Sequence, residues 1–384
     1  MGSDSRKQTV RGKEATKQVL FSHEGTDYLV VWRMDTTPNG LERYLVRPRT
    51  HGTTGEPLEA EVVPPRAPQW AHLRLEEEAR LASRLVHPTI ERVQGLRSSG
   101  DRTFLLKEHV EGCSLESVIT FGVLRGDQWM SEAFCLYMAS KVAEALHLAH
   151  SATDEEGRPL GILHRAVSPH AIRIGWTGAV KLGDFASAYS LLPQRLRTPQ
   201  GLFRGELEYA APERLEPPGT AVSDARADLF SLGVVLLETL TGHCIYGLES
   251  LEEAAGLNRG PCPPQPVRRR AERPSWATPE EMAALAAALR PEHVEEALQG
   301  VSAPVKRLVH QALCRDPGER YATAARFQAD LQSCLRTVRA APYDARAASL
   351  ELLQARTEAE GSPRREGATL AEWGVFSEDL PMHS

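Results

Sequence analysis

Residues 227–240, ADLFSLGVVLLETL, carry apolar side chains nearly all the way round a helical wheel. Such a helix is stable only where other elements cover every face, so it belongs at the centre of a lobe. No apolar run in the chain approaches the roughly 18 residues that cross a bilayer, so the cover has to be protein. A chain of 384 residues is long enough to supply it, with length for one two-lobed unit or two domains. Helical periodicity flanks the central helix on both sides: Ser131–Ala149 before it, and Pro279–Leu289, Pro291–Leu298, Ala303–Leu313 and Ala322–Leu335 after it.

The first hundred residues have a different pattern. β-type runs fall at Gln18–Phe21, Tyr28–Met34, Arg43–Val46, Ile90–Leu96 and Thr103–Val110, with turn signals such as Pro38-Asn39-Gly40 between them. One helical pattern interrupts them, Trp70–Val86, with Glu76-Glu77-Glu78 in its middle and His87-Pro88 as its stop. Residues 49–68, rich in Gly, Pro and Thr, read as a loop. Two more short runs, Ala171–Ile174 and Val180–Leu182, bracket a Gly-Trp-Thr-Gly turn. Strands with one helix, followed mostly by helices, predict an α+β chain with a small β-rich lobe on a larger α-rich one. The expected divisions are a solvated arm at 1–16, a small lobe at 17–110, a large lobe at 111–338 with a Pro- and Arg-rich insertion at 259–276, and a helix and polar tail at 339–384.

Charge and thiols narrow the function. Asp plus Glu outnumber Lys plus Arg by 51 to 45, a net charge of −6, which excludes a nucleic-acid binder held by a basic field. The six cysteines show no C-x-x-C spacing, and the N-terminus is polar, without a signal-peptide core. Reduced thiols in a cytoplasmic protein are the expectation. Only seven of the 45 basic residues are lysines, and none lies between Lys17 and Lys107.

Five motifs then occur in order. They are His164-Arg165-Ala166-Val167-Ser168-Pro169-His170-Ala171, Lys181-Leu182-Gly183-Asp184-Phe185-Ala186, Ala211-Pro212-Glu213, Asp228-Leu229-Phe230-Ser231-Leu232-Gly233 and Asp316-Pro317-Gly318-Glu319-Arg320. In this order and spacing the chain resembles the eukaryotic-like serine/threonine protein kinases over about residues 18–337. The motifs match their catalytic loop, metal-binding D-F-G segment, A-P-E triplet, central helix and late D-P-x-x-R segment. The resemblance implies a bilobal fold that binds ATP and magnesium in its cleft in active members. It also implies an ion pair between Glu213 and Arg320.

Against that family the chemistry is incomplete. Phosphoryl transfer depends on positioning and charge neutralisation. The catalytic-loop base position holds Ala166, the loop lysine position Ser168, and the asparagine that takes the second magnesium is Ala171. A methyl group offers no oxygen to a hard cation. Asp184 remains, followed by Phe185 and then Ala186 instead of glycine. Aligning Tyr44-Leu45-Val46-Arg47 with the family's V-A-I-K strand puts Arg47 at the phosphate-binding lysine. Its partner would be Glu78, nine residues before His87. The glycine-rich loop is expected near 22–29, with Ser22, Glu24 and Asp27 at the glycine positions. Leu45 would roof the adenine, Arg173 would floor it, and Lys107 would guard the back of the pocket before the hinge Glu108-His109-Val110. A buried Lys107 needs a partner, Glu78 or Asp184.

The resemblance therefore implies a pseudokinase, with no catalytic residue to name and no cofactor. It would act on a protein partner as a scaffold or as an allosteric regulator of an active kinase. The rival reading is a weak ATP-dependent kinase using Asp184, Glu78 and a relocated Lys107, with magnesium at Asp184 if anywhere. Ser187, Ser190 and Thr198 are the hydroxyls open to modification in the activation segment. Arg165 would keep a packing role. His147 and His150, three apart on a helix, lack a third ligand and read as ordinary helix histidines. Arg268-Arg269-Arg270 in the insertion, and Trp373 with Phe376 in the tail, are secondary docking candidates.

Overall fold

The computed structural model describes residues 18–34, 36–37, 40–64, 67–193, 195, 203–216, 224–257 and 277–362. The arm at 1–16, Thr198, the insertion at 259–276, and Trp373 and Phe376 lie outside these described residues.

The small lobe is a curled antiparallel sheet. Its strands are β1 (Val19–His23), β2 (Thr26–Met34), β3 (Glu42–Thr50), β4 (Thr53–Thr54), β5 (Leu58–Val62), β6 (Val93–Ser99) and β7 (Arg102–Glu108). They lie in the order β1-β2-β3-β5-β7-β6, with β4 paired to β3. The sheet curls until its two edges meet, where His23 Nδ1 lies 3.1 Å from the Ser98 carbonyl. Phe21, Tyr28, Val46, Leu58, Ala60, Val62, Phe104 and Leu106 form the core on one face of the curl. Phe21 stacks between Tyr28 and Phe104, at 4.3 and 3.9 Å. Helix α1 (Gln69–Ala82) covers the other face through Ala71, Leu75 and Ala79 against Leu105.

Strand β5 corrects the reading of 49–68 as a loop. Leu58-Glu59-Ala60-Glu61-Val62 alternates with period 2, but its polar positions are glutamates between proline-rich flanks, which resembles a solvated connection. Burial of the apolar set in the small-lobe core makes it a strand, bonded on both sides by β3 and β7.

The large lobe begins with β8 (Gly112–Ser114), α2 (Leu115–Leu124) and α3 (Glu132–Ser151), followed by β9 (Ile172–Gly175) and β10 (Val180–Leu182), which complete a three-stranded sheet. Then come α4 (Pro212–Leu215), α5 (Arg226–Thr241), α6 (Glu249–Ala254), α7 (Pro279–Ala288), α8 (Pro291–Ala297), α9 (Ala303–Ala312), α10 (Ala324–Val338) and α11 (Ala345–Glu360). Every residue of α5 from Ala227 to Thr241 is buried, as its all-round apolar wheel requires. It ends on Gly242, at φ 71°, where any side chain would strike the Trp129 ring. The Ser131 hydroxyl caps α3 by accepting the Phe134 N–H. No helix among the described residues is long and apolar enough to cross a membrane.

Helix α11 closes the back of the large lobe against α2 and α3. Ser349 donates to the Trp176 carbonyl at 2.6 Å, Arg356 stacks on the Trp176 ring at 4.6 Å, and Arg125 pairs with Glu358 at 2.7 Å. Two backbone links and one side-chain pair join the lobes near the hinge. Glu91 N–H donates to the Leu182 carbonyl, Leu182 N–H to the Thr89 carbonyl, and Lys181 pairs with Glu108 at 2.7 Å.

Candidate functional site

The loop at 164–171 is held from below by the start of α5. The Asp228 carboxylate accepts the backbone N–H groups of His164 and Arg165, each at 2.8 Å, and lies 2.9 Å from His150 Nε2. Burial works to raise the Asp228 carboxyl, but the hydrogen bond and charge of His150 overcome it and hold it at about 2. This gives His150 a structural role, and among the described residues no group of three or more His, Cys, Asp or Glu is arranged for a metal. His164 Nε2 lies 2.8 Å from the Gly183 carbonyl, and its ring meets Phe185 edge-on at 4.6 Å. These bonds hold the loop in place. Ala166 and Ala171 offer buried methyl groups, and the Ser168 hydroxyl is engaged in donating to Glu206 at 2.7 Å.

Glu213 and Arg320 form the implied buried pair, bidentate with both bonds at 2.8 Å. Arg320 also donates to the Cys314 and Arg315 carbonyls, so the A-P-E turn is tied to the base of the large lobe. Arg165, at φ 67°, stacks on Tyr189 at 4.7 Å, and Arg195 lies over the same ring at 4.2 Å. Ser187 and Ser190 are buried.

Between the lobes the side chains form one continuous charged network. Lys107, on β7, donates to Glu78 of α1 at 2.6 Å and pairs with Glu61 of β5 at 2.9 Å; it is 2% exposed. Arg43 of β3 pairs with Glu59 and reaches Glu61 at 3.8 Å. Glu59 also draws His109 at 3.5 Å and, from the large lobe, Arg173 of β9 at 3.6 Å. Glu91 and Asp184 complete the lining with Thr37, His170 and Ala171, and the space left among these groups is about 20 Å³, room for about one water. Glu91 packs directly on Gly183, where a Cβ would come within 2.6 Å of its carboxylate and push it aside.

Burial opposes the charge of Lys107, yet Glu61 and Glu78 together hold its ammonium well above the usual lysine range. The carboxylates take up the deficit. Burial pushes Glu78 to about 8 against the pull of Lys107, with Glu61 and Asp184 adding to the rise. Burial likewise raises Glu91 to about 7 and raises Asp184.

Residues 62–331 match the protein kinase domain family. The chain belongs to the protein kinase family. It is 35% identical to the tyrosine-protein kinase MasK of Myxococcus xanthus over 167 residues, 43% of this chain and 25% of that protein. It is 28% identical to the serine/threonine-protein kinase PknB of Mycobacterium leprae over 264 residues, 68% of this chain and 35% of PknB. With PrkC of Bacillus subtilis, also a serine/threonine-protein kinase, the figures are 27% over 260 residues, 68% of this chain and 33% of PrkC. The chain thus spans about a third or less of the length of these relatives.

In the kinase fold the phosphate-binding lysine sits on the strand that leads into the helix bearing its glutamate partner. That strand is β5 here, and this moves several expected positions. Arg47 is half-buried on β3, one strand away, and Glu61 occupies the lysine position. Glu59, two residues earlier on the same face, replaces Leu45 as the roof of the cleft. Thr37, from the β2–β3 connection, lines the cleft, whereas Ser22, Glu24 and Asp27 lie on the β1–β2 hairpin. The shift arises because β1 is an additional edge strand and β5 was concealed by its glutamates. Glu78, Lys107, Asp184, Arg173 and Ala171 do come together in the cleft. Arg43, Glu59, Glu61, Glu91 and His109 join them unforeseen. The available signal was two glutamates spaced to share one face of a strand beside the hinge.

Proposed function

We propose that this kinase-family chain carries out no phosphotransfer and works as a pseudokinase, binding a protein partner as a scaffold or as an allosteric regulator of an active kinase or other signalling protein. The observation that carries this reading is the occupied cleft. Lys107, Glu61 and Glu78 fill the place of the phosphate-binding pair, and the pocket among the charged groups beside them measures about 20 Å³. A magnesium-bound triphosphate does not fit these residues. Its phosphates would meet Glu59 and Glu61, the methyl of Ala171 supplies no second metal ligand, and the Ala166 methyl accepts no proton. The sheet-helix frame of the fold is nevertheless intact. The Lys107–Glu78 pair fastens α1 to the sheet, Asp228 fastens the catalytic loop, and Glu213–Arg320 fastens the A-P-E turn. An organised surface without an open cleft suits binding better than turnover.

One observation favours the rival, a weak ATP-dependent kinase: Lys107 is bonded to Glu78 and its charge also acts on Asp184, the combination such an enzyme would use. The two readings separate in a phosphotransfer assay with radiolabelled ATP and magnesium or manganese, on the chain alone and with a generic basic protein substrate. No labelled product, together with a changed rate for an active bacterial serine/threonine kinase on adding this chain, supports the proposal. Labelling that depends on Asp184 would overturn it.

A further inference from the structure

The network in the cleft is unbalanced. Five carboxylates, Glu59, Glu61, Glu78, Glu91 and Asp184, face three permanent cations, Arg43, Lys107 and Arg173, in a space with room for about one water. His109 beside Glu59 and His170 on the lining are further titratable groups drawn into it. The contributors come from every element around the cleft. The small lobe supplies Arg43 from β3, Glu59 and Glu61 from β5, Glu78 from α1, Glu91 from the α1–β6 connection and Lys107 from β7. The large lobe supplies Arg173 from β9 and Asp184 after β10, with Asp184 also feeling His164 beneath it. Arg74 of α1 also acts electrostatically on Asp184. With Arg74 counted the carboxylates still outnumber the permanent cations, five to four, and an unmatched buried charge is costly, so protons on the carboxylates favour closure of the lobes.

We propose that the cleft is a proton-operated latch between the lobes, in which protons shared by Glu78 and Glu91 occupy the role that nucleotide and metal have in an open kinase cleft. This deepens the pseudokinase reading and rests on it, since an open nucleotide site would hydrate the same groups. With the protons on, the Arg173–Glu59 bridge spans the lobes without opposition. With them off, the acids of the small lobe repel Asp184 of the large one, and the charged groups are better solvated with the lobes apart. The high positions of Glu78 and Glu91, about 8 and 7, set the transition near neutral pH. Both protons leave to solvent as the pH rises, and no other co-reactant is needed. A signalling protein that presents a surface spanning both lobes would present it below this range and lose it above.

The test is hydrogen exchange on the full chain between pH 6 and 9, expressed as protection factors so that the intrinsic pH dependence divides out. The amides of Glu91 and Leu182, whose hydrogen bonds run between the lobes, are expected to lose protection by about tenfold per pH unit for each proton released, with the fall levelling off above about pH 8. Their protection should stay below that of α5 throughout, because lobe opening costs less than unfolding. In the Glu78→Gln and Glu91→Gln variants the slope should fall by the share of the proton removed. If one variant fails to fold, the other reads the same quantity. An unchanged slope in a folded variant, no slope in the parent, or cleft protection equal to that of α5 at every pH would overturn the latch. Nucleotide is absent from the experiment, so a failed pseudokinase reading shows separately, as protection gained on adding ATP with magnesium.

Discussion

Replacing Lys107 by methionine removes the cation from the centre of the cleft while keeping the length of the side chain. Lys107 and its two partners are almost wholly buried, with side-chain exposures of 3% for the lysine, 8% for Glu61 and 2% for Glu78. Removing one partner of a buried pair leaves an uncompensated charge, which costs about 3–5 kcal/mol. A chain like this one has a total stability of about 5–15 kcal/mol, so the loss is a large part of it. The stranded carboxylates can escape by protonation, so the penalty should be full near pH 8.5 and shrink toward pH 5. Urea unfolding at the two pH values measures both effects. Adding Glu61→Gln and Glu78→Gln to Lys107→Met should recover most of the loss, because no buried charge is then left alone. For comparison, removing Arg49 from its exposed pair with Asp27 should leave the stability almost unchanged. A Lys107→Met loss as small as that, or one independent of pH, would refute the claim that these charges are buried together.

Arg320→Lys breaks the bidentate contact to Glu213 and two carbonyl bonds; it should destabilise the large lobe by about 2–4 kcal/mol in chemical denaturation, and a neutral result would count against the buried pair. Asp228 has a folded-state carboxyl lowered to about 2, so its stabilisation is present above the unfolded value near 3.9 and is lost as pH falls toward 2. Asp228→Asn should accordingly flatten the acid limb of a stability–pH profile, and an unaltered limb would contradict the assignment. Glu78 and Glu91 work in the opposite sense: their folded values are raised, so the stability they confer is held at low pH and lost as pH rises through about 7 to 8. Restoring the catalytic loop alone, with Ala166→Asp and Ala171→Asn, should yield no phosphotransfer from radiolabelled ATP, because Lys107 and its glutamates still fill the cleft. Activity in that double variant would show that the loop, and not the cleft, is limiting.

The large lobe was legible because its signals are local. The all-round apolar wheel of 227–240 can only be a covered helix, and the motifs around Asp184, Glu213, Asp228 and Arg320 are each contiguous in the sequence, although the bonds that join them are long-range. Lys107 was legible as a buried cation in need of a carboxylate, with Glu78 and Asp184 as its candidates, and the structure pairs it with Glu78. The small lobe was less legible. β5 looks polar because its glutamates face a dry cleft, and nothing in an alternating Glu pattern distinguishes water from a buried cation on that face. Misreading it displaced the expected lysine position to Arg47 and the loop over the cleft to 22–29. Glu91 was hidden in the same way, as one acid among apolar neighbours that packs on Gly183, far away in sequence. Long-range charge matching is a property of the folded arrangement, and no local pattern announces it.

The central claim is that side chains occupy the place of nucleotide. The most direct test is a thermal-shift titration of the purified full chain with ATP at millimolar concentration, with magnesium, with manganese and without metal. A ligand that binds the native state must raise the melting temperature by mass action. The filled cleft predicts no shift under any of these conditions. A rise that grows with nucleotide and depends on the metal would contradict it and restore the weak-kinase reading.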